Sequence, residues 1–370
     1  MHFFATAAKG TEPALRDELR DLRFRRVKAD RGGVAFEGEL REGYRACLES
    51  RVAVRILAEL GQFPAPHGDA LYEGVRAIDV TPYLSPDLTL AVRASSKHSS
   101  LTHTQFLAQR TKDALVDVQR ERFGARPSVN TDDPDVGFFL HVVKDVATLY
   151  VDLAGDALHQ RGYRRAKGEA PIKETLAAAI LRLASWTPGT PLIDPTCGSG
   201  TFPIEAALMA EQRAPGLLRA QFGFQRWVSF GDADKIVWNQ LREAALARIV
   251  ANPVPIVGYD TDAVVLEAAA LNAAAAGVTV KLEQRSMRDV PHQKPPCFVV
   301  TNPPYGTRLT RTLDTLRDIN TLDDRCKDVR LVMIAGDASL ERAVRRPAVW
   351  RHQLFNGALD CRLLVWDKQR

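Results

Sequence analysis

The chain has 370 residues, 45% hydrophobic and 26% charged, with a net charge of +5. That length supports two or three domains with cores of their own, and no apolar run approaches the roughly 18 residues of a membrane-spanning helix. The five cysteines (Cys47, Cys197, Cys297, Cys326, Cys361) are scattered without a CxxC pair, which argues against a disulfide framework or a zinc site and fits a reducing, cytoplasmic setting.

The apolar start, Met1 to Ala8, lacks a basic flank and is too short for a signal segment, so it reads as a first strand. Residues 1–42 read as strand, helix, strand, strand. Thr11 is placed to cap a helix from Glu12 to Leu22, with Pro13 in its first turn. Val27 opens a strand that turns at Arg31-Gly32-Gly33 and returns through Phe36. A unit of this size needs something to pack on. Residues 43–155 read as a second α+β unit. Tyr44 to Leu60 carries apolar residues at helical spacing, with Arg51 and Arg55 on the other face. Leu71 to Ile78 and Thr102 to Gln119 are further helices. Leu88 to Ala94, Val136 to Val143 and Ala147 to Leu153 are strands. Helices followed by antiparallel strands do not make a nucleotide-binding βαβ unit.

Residues 156–170 are poor in apolar side chains and read as a linker. Their cluster Arg161-Gly162-Tyr163-Arg164-Arg165 is either a solvated connector or a strap for RNA, since Arg and Tyr serve phosphates and stacked bases. From Pro171 to the last residue, helices and strands alternate, as in an open and mostly parallel sheet with helices on both faces. The helices fall at Lys173 to Ala184, Ile204 to Gln212 and Val264 to Ala276. The strands fall at Leu192-Ile193, Ile256 to Tyr259, Val278 to Leu282, Phe298 to Thr301, Leu331 to Ala335 and Ala358 to Trp366.

Three strand ends in this half carry chemistry. Asp194-Pro195-Thr196-Cys197-Gly198-Ser199-Gly200-Thr201 lies between a strand and a helix. Glycines there let backbone approach a ligand, and the helix start offers free N–H groups. The turn lacks the lysine of a phosphate loop and is not GxGxxG. An acid at its strand end suits a ligand with a cationic amine and sugar hydroxyls, and S-adenosylmethionine has both. Asp260 and Thr261 end the next strand, where an acid binds ribose hydroxyls. Asp260 lies 60 residues beyond Gly200, against about 20 in the ordinary arrangement, so an insertion over roughly 211–250 is expected. Finally, Asn302-Pro303-Pro304-Tyr305 follows the strand Phe298 to Thr301. A purine exocyclic amine is a poor nucleophile because its lone pair is delocalised. The Asn302 carboxamide oxygen and Pro303 carbonyl can accept its two N–H bonds and aim the lone pair, while Tyr305 stacks on the base. The histidines show no ligand spacing, and no metal is expected.

With these motifs in place, the chain resembles the THUMP-domain RNA guanine-N2 methyltransferases, most nearly the bacterial large-subunit ribosomal RNA branch. The matching segments run from Arg51 to Phe63 through Asn356 to Cys361 and span nearly the whole chain. The resemblance implies an α/β Rossmann-like class I methyltransferase domain at 171–370. Before it would stand an α+β region made of a ferredoxin-like domain at 1–42 and an RNA-binding THUMP domain at 43–155. It implies S-adenosylmethionine held by Pro171, Asp194, Pro195, Cys197, Gly198, Gly200, Thr201, Asp260, Thr261, Ser286, Met287 and Asn302. The guanine would sit at Asn302 to Tyr305. Structured RNA would meet Arg51, Arg55, Lys112, Arg161, Tyr163, Arg164 and Arg165. The chain departs from the family at Ser286, where an acid is common and Asp289 stands three residues on, and at Thr307, where the ribosomal branch often has Glu.

The expected substrate is large-subunit ribosomal RNA, with no obligate protein partner. A tRNA acceptor stem, adenine N6 in DNA, and a non-catalytic RNA-binding assembly factor are the alternatives. Relatives with a second methyltransferase domain are known, and a single activity is expected here.

Overall fold

The computed structural model describes residues 1–166, 172–252, 254–303, 312–357 and 359–367. Pro171, Pro304, Tyr305 and Thr307 lie outside the described residues.

Eight strands of the first 152 residues form one sheet. They are β1 (His2–Thr6), β2 (Arg25–Asp30), β3 (Gly33–Glu37), β4 (Arg55–Pro64), β5 (Thr89–Lys97), β6 (Ser128–Val129), β7 (Val136–Val143) and β8 (Val146–Asp152). The order is β2-β3-β1-β4-β8-β7-β5-β6. Four helices accompany it: α1 (Glu12–Asp21), α2 (Leu40–Glu49), α3 (Gly68–Arg76) and α4 (Thr104–Phe123). Alternation explains β7, where every second residue from Val136 is buried.

Two local expectations change. The Thr11 hydroxyl donates to the Ala8 carbonyl at 2.7 Å instead of capping α1. No side chain caps α1; Glu12 instead ties two neighbouring loops together, accepting the Gly10 N–H at 2.7 Å and the Gly32 N–H at 3.1 Å. The stretch Tyr44 to Leu60 is not one helix, because α2 stops at Glu49 and β4 takes over at Arg55. Ile56, Leu57 and Ala58 suit either period, and pairing to both β1 and β8 decides for a strand.

The second sheet contains β9 (Leu192–Asp194), β10 (Ile256–Asp260), β11 (Lys281–Gln284), β12 (Phe298–Thr301), β13 (Arg330–Ala335), β14 (Trp350–Asn356) and β15 (Leu359–Trp366). Its order is β11-β10-β9-β12-β13-β15-β14. All pairings from β11 to β13 are parallel, whereas β15 runs antiparallel to both neighbours. Helices α5 (Glu174–Leu183), α6 (Thr201–Ala210), α7 (Asp232–Ala247), α8 (Ala263–Ala276), α9 (Thr312–Arg325) and α10 (Ala338–Ala343) complete this half. Strand β14 and helix α9 were not expected from the sequence. The strand order reverses between β9 and β12, where open α/β sheets bind ligands beyond their carboxyl ends.

The expected insertion is a clasp. Phe222, Phe224, Trp227 and Trp238 join the hydrophobic core of the first sheet rather than that of the second. Phe224 stacks on Tyr44 at 4.2 Å, and the Tyr44 hydroxyl donates to Asp234 at 3.0 Å. The Arg219 guanidinium donates to the carbonyls of Ala154, Asp156, Ala157 and Gln160 at 2.7–3.2 Å, fixing the exit from β8. Among the described residues, no helix is long and apolar enough to cross a membrane.

Candidate active site

The ends of β9, β10 and β12 bring together the three motifs. Asp194 closes β9 with 1% of its surface exposed, and its carboxylate accepts the Thr196 N–H at 3.0 Å. Burial pushes its carboxyl up to about 8, and the nearby charge of Asp260 adds to that. A cationic ligand group would reverse this shift, so the residue fits an ammonium. Pro195 is buried, and the Cys197 N–H donates to the Tyr259 carbonyl at 2.8 Å, lashing the turn to β10. Burial holds the Cys197 thiol far above its ordinary value, so it stays protonated and is no nucleophile.

Gly198 and Gly200 both have left-handed backbone, with φ of +53° and +85°. A Cβ at Gly200 would press on Ala269 at 3.1 Å, whereas one at Gly198 would meet nothing within 4 Å. The turn therefore packs at Gly200 and opens at Gly198. The Gly198 N–H donates to Asp260 at 3.0 Å, and the other Asp260 oxygen accepts the Asp262 N–H at 3.1 Å. The glycine turn and the acid of the neighbouring strand are thus one unit. Gly258 must lack a side chain, because a Cβ there would lie 2.9 Å from the Cys197 sulfur. Thr201 is buried in the first turn of α6, where the Thr201 and Ser199 hydroxyls accept from Arg164. Thr261 is exposed and its carbonyl accepts from Gln284 at 3.0 Å. Ser286 and buried Met287 follow β11, held beside β10 by the Arg285 N–H on the Asp260 carbonyl at 2.8 Å.

On the other side of β9, the Thr196 and Thr301 hydroxyls share a hydrogen bond of 2.8 Å, joining the glycine turn to the end of β12. Asn302 follows. Its carboxamide oxygen is buried and has no hydrogen-bond partner among the described residues. A buried acceptor without a donor costs about 1–3 kcal/mol, which makes this oxygen a candidate for a donor that arrives with a ligand. Pro303 is buried beside it.

Two site-building residues escaped the sequence reading. Asn272, fully buried on α8, accepts the N–H groups of Arg165 and Ala166 and donates to the carbonyls of Ala166 and Ser199 at 3.0 and 3.1 Å. It clips the connecting segment to the glycine turn. Glu174 opens α5 and holds Arg164 at 2.7 Å. A lone amide in an Ala-rich helix was the available signal for the first of these.

Most of the residues expected to meet RNA make contacts inside the protein. Arg161 is 2% exposed, faces Glu205 at 3.5 Å and donates to the carbonyls of Leu158 and Arg51. The buried Tyr163 hydroxyl donates to the same Glu205 at 3.2 Å. Arg164 spans Glu174, Ser199 and Thr201 at 2.7–3.1 Å and so supports the donor turn. Arg51 donates to the carbonyls of Leu208 and Arg213 at 3.2 and 2.8 Å. Arg55 pairs with buried Asp152 and donates to the Gly155 carbonyl. All five spend polar atoms on partners inside the protein. Lys112 is partly exposed and pairs with Asp113. The Arg165 side chain is exposed.

Comparison with known families matches residues 161–364 to the RMKL-like methyltransferase domain. The chain belongs to the RMKL-like methyltransferase family. The RlmL ferredoxin-like domain matches residues 2–57 and the THUMP domain residues 68–152. This family takes its methyl group from S-adenosylmethionine. A Methylococcus capsulatus protein named ribosomal RNA large subunit methyltransferase K/L is 42% identical over 99% of this chain. The match covers 51% of that protein, so the chain spans about half the length of this curated relative. Among solved structures, SMU.472, a methyltransferase candidate in complex with SAH, superposes with a TM-score of 0.87 at 32% identity, covering 100% of this chain and 98% of that one. A Listeria monocytogenes protein titled a predicted N6-adenine-specific DNA methylase gives 0.88 at 32% identity, covering 100% and 96%.

Proposed function

We propose that this RMKL-like protein transfers a methyl group from S-adenosylmethionine to the exocyclic N2 amine of a guanosine in structured RNA, with large-subunit ribosomal RNA as substrate. The donor residues fit their ligand. Asp194 faces a cation, Asp260 lies at ribose position on the next strand end, and Gly198 opens toward the ligand. When bound, S-adenosylmethionine supplies an electrophilic methyl group on a sulfonium. The rest falls to the chain. The Asn302 oxygen accepts an N–H of the incoming amine and draws its lone pair out of conjugation, and the Pro303 carbonyl accepts the other. This is catalysis by position and electrostatics, with no side-chain nucleophile required. The target base leaves its stack to reach Asn302, which costs a few kcal/mol when it is paired.

The observation that carries this reading is the Asn302 oxygen, without a partner among the described residues, at a strand end joined to the glycine turn. The names of the K/L relatives and the THUMP match at 68–152 support RNA, and ribosomal RNA in particular. The same oxygen would serve adenine N6, the activity in the Listeria protein's title. Incubating the protein with labelled donor and separate pools of 23S rRNA fragments, tRNA and duplex DNA, followed by nucleoside mass spectrometry, tests the assignment. N2-methylguanosine in the rRNA pool is expected. Methylated adenine in DNA, or N2-methylguanosine confined to tRNA, would contradict it.

A further inference from the structure

Beside the donor turn lies a cleft of about 820 Å³. Its walls are the connecting segment around 156–164, the start of α5 and the 219–226 stretch of the clasp. Five cations, Arg161, Arg164, Lys173, Arg219 and Arg226, line it against the carboxylates Asp156 and Glu174. Three of the cations have acid partners: Arg161 faces Glu205, Arg164 meets Glu174, and Arg226 meets Asp133 at 2.9 Å. Arg219 does not, because its guanidinium is spent on four carbonyl oxygens and no carboxylate. Asp156 and Asp152 act on its buried charge only through space, so it still contributes to the cleft. Lys173 is exposed just ahead of α5, and its ammonium meets no acid among the described residues. The lining carries five cations against two carboxylates, and a net positive wall of this kind draws a polyanion.

A second, independent feature points to a ligand. The Nδ1 atom of His159 on the cleft wall is buried and has no hydrogen-bond partner among the described residues. Burial and the charge of Lys173 hold this imidazole below its ordinary value, so it is neutral and able to bond an oxygen or hydroxyl. The cleft also adjoins the chemistry, since Arg164 reaches from its wall to Ser199 and Thr201 of the donor turn.

We infer that this cleft seats the sugar–phosphate backbone of the RNA strand flanking the target nucleotide, with Lys173 and the field of Arg219 acting on phosphate and His159 on a backbone oxygen or hydroxyl. This rests on the RNA methyl-transfer reading above and adds the path of the strand. Phosphate contacts position a nucleic acid without reading its sequence, so the cleft fixes which nucleotide reaches Asn302 without recognising its neighbours.

Binding of a fluorescent 23S rRNA fragment to the full chain, measured across a salt series, tests this. Gln160 and Lys173 are exposed, so their substitution leaves the fold intact. Gln160→Glu adds a negative charge to the cleft without deleting a contact, and it should weaken binding about fivefold. Lys173→Ala should weaken it about tenfold and lower the slope of log K against log salt by about 0.7–0.9, the signature of one lost phosphate contact. Lys281→Ala, at the opposite end of the parallel strands on β11, should change neither. Unchanged affinity and slope in both cleft variants would overturn the strand path, whatever the wild-type turnover. Normal RNA affinity with no methyl transfer to any nucleic acid would instead overturn the chemistry and leave the cleft in place.

Discussion

The glycine turn at 194–201 and the connecting segment at 156–166 lie side by side, and both are dense in residues that read as ligand contacts. They differ in what their polar atoms do. In the turn, Gly198 opens on empty space, and beside it the Asn302 oxygen has no donor among the described residues. In the connector, Arg161, Tyr163 and Arg164 spend nearly every donor on carbonyls and buried carboxylates. Residue type alone did not separate the two. A site was distinguished from a strut by whether its hydrogen-bonding capacity is satisfied within the protein.

Breaking the connector should therefore cost stability and leave the surface properties alone. Arg161→Met leaves Glu205 buried and uncompensated, and loss of one partner of a buried pair costs about 3–5 kcal/mol. Denaturant unfolding should show that loss. Phe224→Ala empties a fully buried position in the clasp, which costs about 3 kcal/mol or more. Because Phe224 ties the second half of the chain to the core of the first sheet, calorimetry should then resolve two thermal transitions in place of one.

A prediction of intermediate size concerns Asp194. Its carboxyl ionises near 3.8 when unfolded and near 8 in the folded protein. Between those values the folded state holds a proton that the unfolded state has lost, so unliganded stability falls as pH rises through this window. Binding a cationic ligand needs the ionised form, so affinity for S-adenosylmethionine should rise with pH by up to about tenfold per unit until the carboxyl titrates. Asp194→Asn should flatten both profiles and weaken donor binding at pH 8. Calorimetric titration from pH 6 to 8 reads the effect. Smallest of all, Arg165→Ala removes an exposed side chain next to the buried ones. It should leave the melting temperature unchanged and raise the RNA dissociation constant by about threefold, whereas Arg161→Met acts on stability.

Much of the catalytic half was legible in the sequence because strand ends in a parallel sheet converge on one edge. Asp194, Asp260 and Asn302 each stood directly after an apolar run, and the sheet could only bring them together. The clasp was seen only as an excess of spacing between Gly200 and Asp260. Its aromatics bury against α2 and the first sheet, and sequence distance carries no sign of that partner. The buried arginines misled because an arginine on a polar stretch looks solvated. Their partner was visible all the same. Glu205 is a single carboxylate in α6, every residue of which is buried, so it required a cation from elsewhere. Arg51 and Arg55 were misplaced for another reason, since the helical period carried past Glu49 into what pairing made a strand.

The central claim is that Asn302 holds the accepting amine while the glycine turn and the acids of β9 and β10 hold the donor. Its most direct test is Asn302→Ala, with donor affinity by calorimetry and turnover by N2-methylguanosine formation in a defined 23S rRNA fragment. Donor affinity should stay within about twofold of wild type, and turnover should fall by about 10²–10³, as when one preorganised transition-state contact is removed. Wild-type turnover in this variant would contradict the account.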